Sequence, residues 1–204
     1  MGFKKMSDEK ITELFKSLMP ADIIFVEADN IVGWLISFGT ANDDTFKPCH
    51  AMQYIGDGTG KTIEADGKAI NYHVIEEYRN SLKKGEQRLV VYRLKDLTVE
   101  ELDLIKKAWK EDLGKSYNWA VIGLFSVWGV LRKVPLLGGL IGMLPNVAYN
   151  SNSMVCSQQV AQSLRYIDRY YKVITADKPV SNMTPEELSE RIIRIADFKV
   201  DTKL

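Results

Sequence analysis

Between residues 22 and 94 the sequence sets short apolar runs so close together that they constrain the fold more than any other feature. Asp22-Ile-Ile-Phe-Val-Glu reads as a short buried strand. His50 to Ile55 reads as a strand ending at the turn Gly56-Asp-Gly, and Lys61 to Ala65 as its hairpin partner, closed by Asp66-Gly67. Ile70 to Val74 and Leu89 to Leu94 are further strands, the latter rich in Val and Tyr. Strands that neighbour one another along the chain imply an antiparallel sheet, here of about five strands, and an α+β class.

Helices flank this run. Ser7 caps a segment to Leu18 whose Ile11, Leu14, Phe15 and Leu18 form one stripe, and Pro20 stops it. Asn30 to Phe38 has apolar residues at the spacing of a short helix. Thr98 and Glu101 form a capping box for a helix to Leu113 that Gly114 ends. Ser153 to Tyr171 is strongly periodic, with Ser153 as its N-cap. Thr184 caps a last helix, from Pro185 to about 196. With 204 residues at 23.2 kDa, the expectation is one domain over 1–204.

The inventory excludes several classes. Lys+Arg 27 against Asp+Glu 27 gives zero net charge, so a net-basic nucleic-acid binder is disfavoured and no nucleic acid is expected as partner. Cys49 and Cys156 are too few for a disulfide framework, and His50 and His73 too few for a His-rich metal centre; no metal or other cofactor is expected. The N-terminus lacks a hydrophobic run, so no secretory signal peptide is read there. The expected location is the cytoplasm of the producing cell, with release by lysis, a virion or a dedicated route. Trp119 to Tyr149 reads as a long apolar insertion. Arg132 and Lys133 break it, and each half falls short of the roughly 20 apolar residues that span a bilayer.

Gly56-Asp-Gly-Thr-Gly-Lys-Thr imitates a phosphate-binding loop. Such a loop needs glycine five residues before its Gly-Lys pair, where this chain has Ile55, and must open a helix, where this chain reads as strand. A tight hairpin turn is the reading.

Chemistry concentrates at the thiols. Cys156 falls in the first turn of a helix, where free amides and the positive dipole end stabilise a thiolate. Cys156, Val160, Leu164, Ile167 and Tyr171 share a stripe, which turns the sulfur toward the fold. Cys49 and His50 are neighbours on a strand and point to opposite faces, so they make a poor pair. His50 shares its face with Met52 and Tyr54. In the hairpin, Glu64 lies across from His50 and can orient its imidazole, as the third member of a nucleophilic triad does. His73 has the weaker claim.

Gly114-Lys-Ser-Tyr-Asn-Trp, followed by Cys156-Ser157 at a helix start, resembles the pattern of NlpC-like papain-fold cell-wall peptidases. Here the histidine strand and the Ile-Glu-Ala strand precede the cysteine. That order resembles the circularly permuted branch, the YiiX/YebB-like proteins, themselves similar to lecithin:retinol acyltransferase-type enzymes. The resemblance covers roughly Asp22 to Tyr171. It implies a permuted papain-like fold with Cys156 as nucleophile, His50 as general base, Glu64 orienting His50, and Tyr117 and Ser157 at the oxyanion and substrate side. Ala21 stands where the family usually has glycine, and Gln158 where it often has Glu or Gly. The implied activity is that of a cysteine peptidase or amidase acting through an acyl-enzyme on peptidoglycan-type amides. The alternatives are a lipid-directed thiol acyl-hydrolase or acyltransferase that meets membranes through residues 119–149, and a non-catalytic interaction module. The expected partner is a peptide or lipid acyl substrate.

Overall fold

The computed structural model describes residues 2–28, 46–123, 152–177 and 179–203. Helix α1 (Asp8–Ser17) is capped by Ser7, whose hydroxyl oxygen accepts from the Lys10 amide, and it buries Ile11 and Leu14. The chain turns at Ala21, whose φ of 65° lies in the left-handed region. There a side chain costs roughly 1–2 kcal/mol of backbone energy, and the resemblance has glycine. Strand β1 (Ile23–Ala28) follows.

The central strands are β2 (His50–Tyr54), β3 (Lys61–Ala65) and β4 (Ile70–Val74). A 3-10 turn (Ile75–Tyr78) leads into α2 (Arg79–Lys84) and then β5 (Gln87–Leu94). Helix α3 (Val99–Asp112) carries the Thr98–Glu101 capping box. The short strands β6 (Ser116–Tyr117) and β7 (Ser153–Met154) pair in parallel. Helices α4 (Cys156–Ser163), α5 (Asp168–Thr175) and α6 (Pro185–Ile195) lead to a closing strand, β8 (Ala196–Asp201).

The main sheet is antiparallel in the order β4-β3-β2-β1-β5-β8. The α+β class stands, with six strands in place of about five. The sixth, β8, follows α6 directly and pairs Val91 with Val200 and Leu94 with Ala196. Alternation along the strands divides the core between the two faces. Ile23, Phe25, Ala51, Ile63, Ala65 and Val90 pack with Cys156, Val160 and Leu164 and with α6. Ile24, Val26, Met52, Leu89 and Val91 pack with Ile11, Leu14 and Leu82.

Two sequence expectations are corrected. The segment Ser153 to Tyr171 is not one helix: α4 ends at Ser163 and α5 begins at Asp168. Leu164 and Ile167 stay buried in the first cluster, but beyond the break Tyr170 takes the core position and Tyr171, the expected end of the stripe, is only partly buried. Arg165 holds the junction, donating to Asp112 at the end of α3 at 2.8 Å and to the Gln162 carbonyl at 2.8 Å. Ser153 lies in β7, and the N-cap of α4 is Val155.

The apolar insertion expected over 119–149 is described only through its first helical residues, 119–123, and the rest lies outside the described residues, as does the helix expected at Asn30 to Phe38. Among the described residues no helix is long and apolar enough to cross a membrane. The turn at Gly56 to Gly60 delivers the chain into β3, as a hairpin does and a phosphate loop does not.

Candidate active site

Helix α4 packs across β2 and β3, which brings residue 156 to the histidine strand. Its N-cap, Val155, has no side-chain oxygen. Gln158 compensates in part: its Oε1 accepts from the Val155 amide at 3.1 Å while its Nε2 donates to the Ser181 carbonyl at 2.6 Å. The amides of Cys156 and Ser157 lie in the first turn of α4, where the helix itself offers no acceptor.

Cys156 is buried, at 2% exposure. His50, the first residue of β2, keeps about a fifth of its side chain exposed, and its Nε2 lies 2.6 Å from Oε2 of Glu64. The β2–β3 register pairs Gln53 with Ile63 and Tyr54 with Thr62. Continued one step, it sets Glu64 opposite Met52. Glu64 therefore reaches His50 on the diagonal, not directly across from it, a span that two long side chains bridge.

The electrostatics join the three residues. Burial alone would lower the His50 pKa, but the charge and hydrogen bond of Cys156, together with those of Glu64, hold it well above its ordinary 6.5. Burial would raise Glu64, yet His50, Thr62 and Tyr78 hold its carboxyl below the usual 4.5. Thr62 donates to Oε1 at 2.9 Å and Tyr78 to Oε2 at 3.0 Å. With Nε2 committed to Glu64, Nδ1 is the nitrogen left for the thiol of Cys156.

The other residues singled out from the sequence fall as follows. Tyr117 lies in β6 against Met154, two residues before Cys156. Burial and then the charge of Cys156 push its phenol far up. Its ring packs on Trp119 at 4.9 Å, and the Trp119 indole donates to the Gly67 carbonyl at 2.8 Å. The Ser157 hydroxyl is fully buried and donates to the Met183 carbonyl at 2.6 Å. The hydroxyl is thereby committed to the Met183 carbonyl.

Cys49 turns its S–H to the Val26 carbonyl at 3.4 Å, and burial pushes this thiol up against the opposing effect of His50. His73 stands apart from the thiols, between Asp66 at 3.0 Å and Glu77 at 3.3 Å. Thr62 and Tyr78 were not expected. Thr62 has a sequence signal, two positions before Glu64 on the same strand face. Tyr78 has none, because it arrives from beyond β4.

A cavity of about 580 Å³ is lined by Asp66, Asn71, Tyr72, His73, Leu113 and Gly114, and a smaller one of about 240 Å³ by residues including Gly56, Tyr72 and Trp109. Neither is lined by Cys156, His50 or Glu64. Among the described residues no group of three or more His, Cys, Asp or Glu side chains is arranged to hold a metal ion.

No family model and no curated relative matches the chain. Among solved structures it is similar to the metalloprotein yiiX from Escherichia coli O157:H7, with 20% identity over 70% of this chain and 91% of that one, and a TM-score of 0.43.

Proposed function

We propose that this chain is a thiol hydrolase of permuted papain-like architecture that works through an acyl-enzyme on peptide-type amide bonds, those of peptidoglycan foremost. The observation that carries the reading is the His50–Glu64 contact of 2.6 Å, on an imidazole raised by its neighbours beside a cysteine at a helix start.

The thiolate of Cys156, paired with the His50 imidazolium, attacks the acyl carbon. The new C–S bond pushes charge onto the carbonyl oxygen, which the amides of Cys156 and Ser157 receive, with Tyr117 beside them. One such donor is worth about 2.7–4 kcal/mol. Nδ1 of His50 passes its proton to the leaving nitrogen as the C–N bond breaks. Water, deprotonated by the same nitrogen, then attacks the acyl carbon, and the C–S bond breaks to release the acid and restore the thiolate–imidazolium pair. Glu64 holds the ring through both transfers.

The test is release of fragments from a peptidoglycan digest, read by mass spectrometry, together with labelling by a thiol-directed acyl probe. Cys156→Ala abolishes both with little loss of fold, and Cys49→Ala changes neither. Turnover that persists in Cys156→Ala, or label found on Cys49, overturns the assignment. No label on either thiol at neutral pH leaves an interaction module.

A further inference from the structure

Oε2 of Glu64 serves two donors, His50 at 2.6 Å and Tyr78 at 3.0 Å, while Thr62 occupies Oε1 at 2.9 Å. A glutamate on a strand has three side-chain torsions, and the Thr62 bond to one oxygen leaves the carboxylate free to swing about it. The bond from Tyr78 to the other oxygen removes that freedom without relying on the His50 ring that the carboxylate has to hold.

Tyr78 is itself anchored. It ends the 3-10 turn that buries Ile75 and runs directly into α2, which buries Leu82. Burial first, and then the Glu64 charge, pushes its phenol well above the ordinary 10, so the O–H stays a donor. The ionisable groups that bear on Glu64 come from every side: His50 on β2, Tyr78 from the 3-10 turn, His73 on β4 through its charge and Cys156 on α4 through His50.

We propose that Tyr78 is a positioning residue of this site: its hydroxyl, acting with that of Thr62, pins the Glu64 carboxylate so that Oε2 is presented to His50 and Nδ1 of the ring to Cys156. This rests on the reading of Cys156, His50 and Glu64 as one working unit.

The experiment needs no substrate. The rate of Cys156 alkylation by iodoacetamide, followed by mass at that residue, is measured from pH 5 to pH 8 in the full chain and in its Tyr78→Phe and Glu64→Gln variants. With one donor gone, Glu64 takes its proton at higher pH and the ion pair weakens on the acid side. Tyr78→Phe makes Glu64 bind its proton about tenfold more tightly, the weight of one hydrogen bond to a charged group, so alkylation slows by about threefold at pH 5 and is nearly unchanged at pH 8. Simple loss of packing would not depend on pH.

An unchanged acid limb in Tyr78→Phe, with a changed one in Glu64→Gln, overturns the role of Tyr78 and leaves the triad standing. Unchanged limbs in both overturn the triad itself. Should Tyr78→Phe fail to fold, 3,5-difluorotyrosine at position 78 keeps the shape and donates more strongly. It is expected to speed alkylation at pH 5, and no change there overturns the proposal.

Discussion

A histidine held between two anions is a different acid from one in water. At His50, burial favours the neutral ring, and the charges of Cys156 and Glu64 reverse that preference. Cys49 is a buried thiol bonded to a carbonyl, the ordinary state of an inert free cysteine. Cys156 opens helix α4, is buried and bears on the His50 ring. Glu64→Gln keeps the shape and removes one anion, so the His50 titration, followed by its imidazole NMR signals, moves down toward 6.5. A midpoint that stays where it was, or rises, means that Glu64 does not govern the ring.

Elements that rest on local chemistry could be read directly from the sequence. The Thr98 capping box, the Ser7 and Thr184 caps, the short apolar strands and the glycine turns form where the residues put them. The β2–β3 turn separates two glycines that share a backbone conformation but not their surroundings. Gly56 has φ +73°, and a Cβ there would stand 2.3 Å from Pro20 Cγ, whereas Gly58, at φ +80°, faces open space. Gly56→Ala therefore adds an overlap of about 1–3 kcal/mol to the backbone cost of roughly 1–2 kcal/mol that both positions share. Urea midpoints should fall further for Gly56→Ala than for Gly58→Ala; equal losses would mean that the Pro20 contact relaxes freely.

What could not be read from the sequence depends on contacts across the chain. Strand β8 is defined by pairing with β5 more than a hundred residues earlier. The break after α4 is held by Arg165 reaching back to Asp112. The site shows the same division. Cys156, His50 and Glu64 carry side-chain types and spacings that announce them, whereas Tyr78 shares only a destination with them.

At the scale of the whole molecule, the ion pairs fasten the edges of the sheet as well as its site, and together they set the pH range over which the fold is most stable. Arg88 is nearly buried and holds Asp201 of β8 at 2.6 Å and Glu27 of β1 at 2.8 Å. Asp201 is lowered, as Arg88 outweighs its burial; Glu64 is lowered by His50 and its other donors against its own burial. Asp66 is lowered by the amides of Lys68 and Ala69 against partial burial. A carboxylate depressed in the fold contributes stability that is present above its unfolded pKa and is lost as pH falls through the folded one. The loss begins near 4.5 for Glu64 and near 3.8 for the two aspartates, and continues downward. The two histidines run the other way. His50 and His73 are raised, each against its own burial, by Cys156 with Glu64 and by Asp66 with Glu77. Their contribution is complete below 6.5 and fades as pH rises through their folded values. The urea midpoint at fixed ionic strength is therefore expected to be highest between 4.5 and 6.5, to fall steeply on the acid side and to decline more gently on the alkaline side. A midpoint that climbs without interruption from pH 5 to pH 9 would show that neither imidazole is held as a cation, and the ion pair at the thiol would go with it.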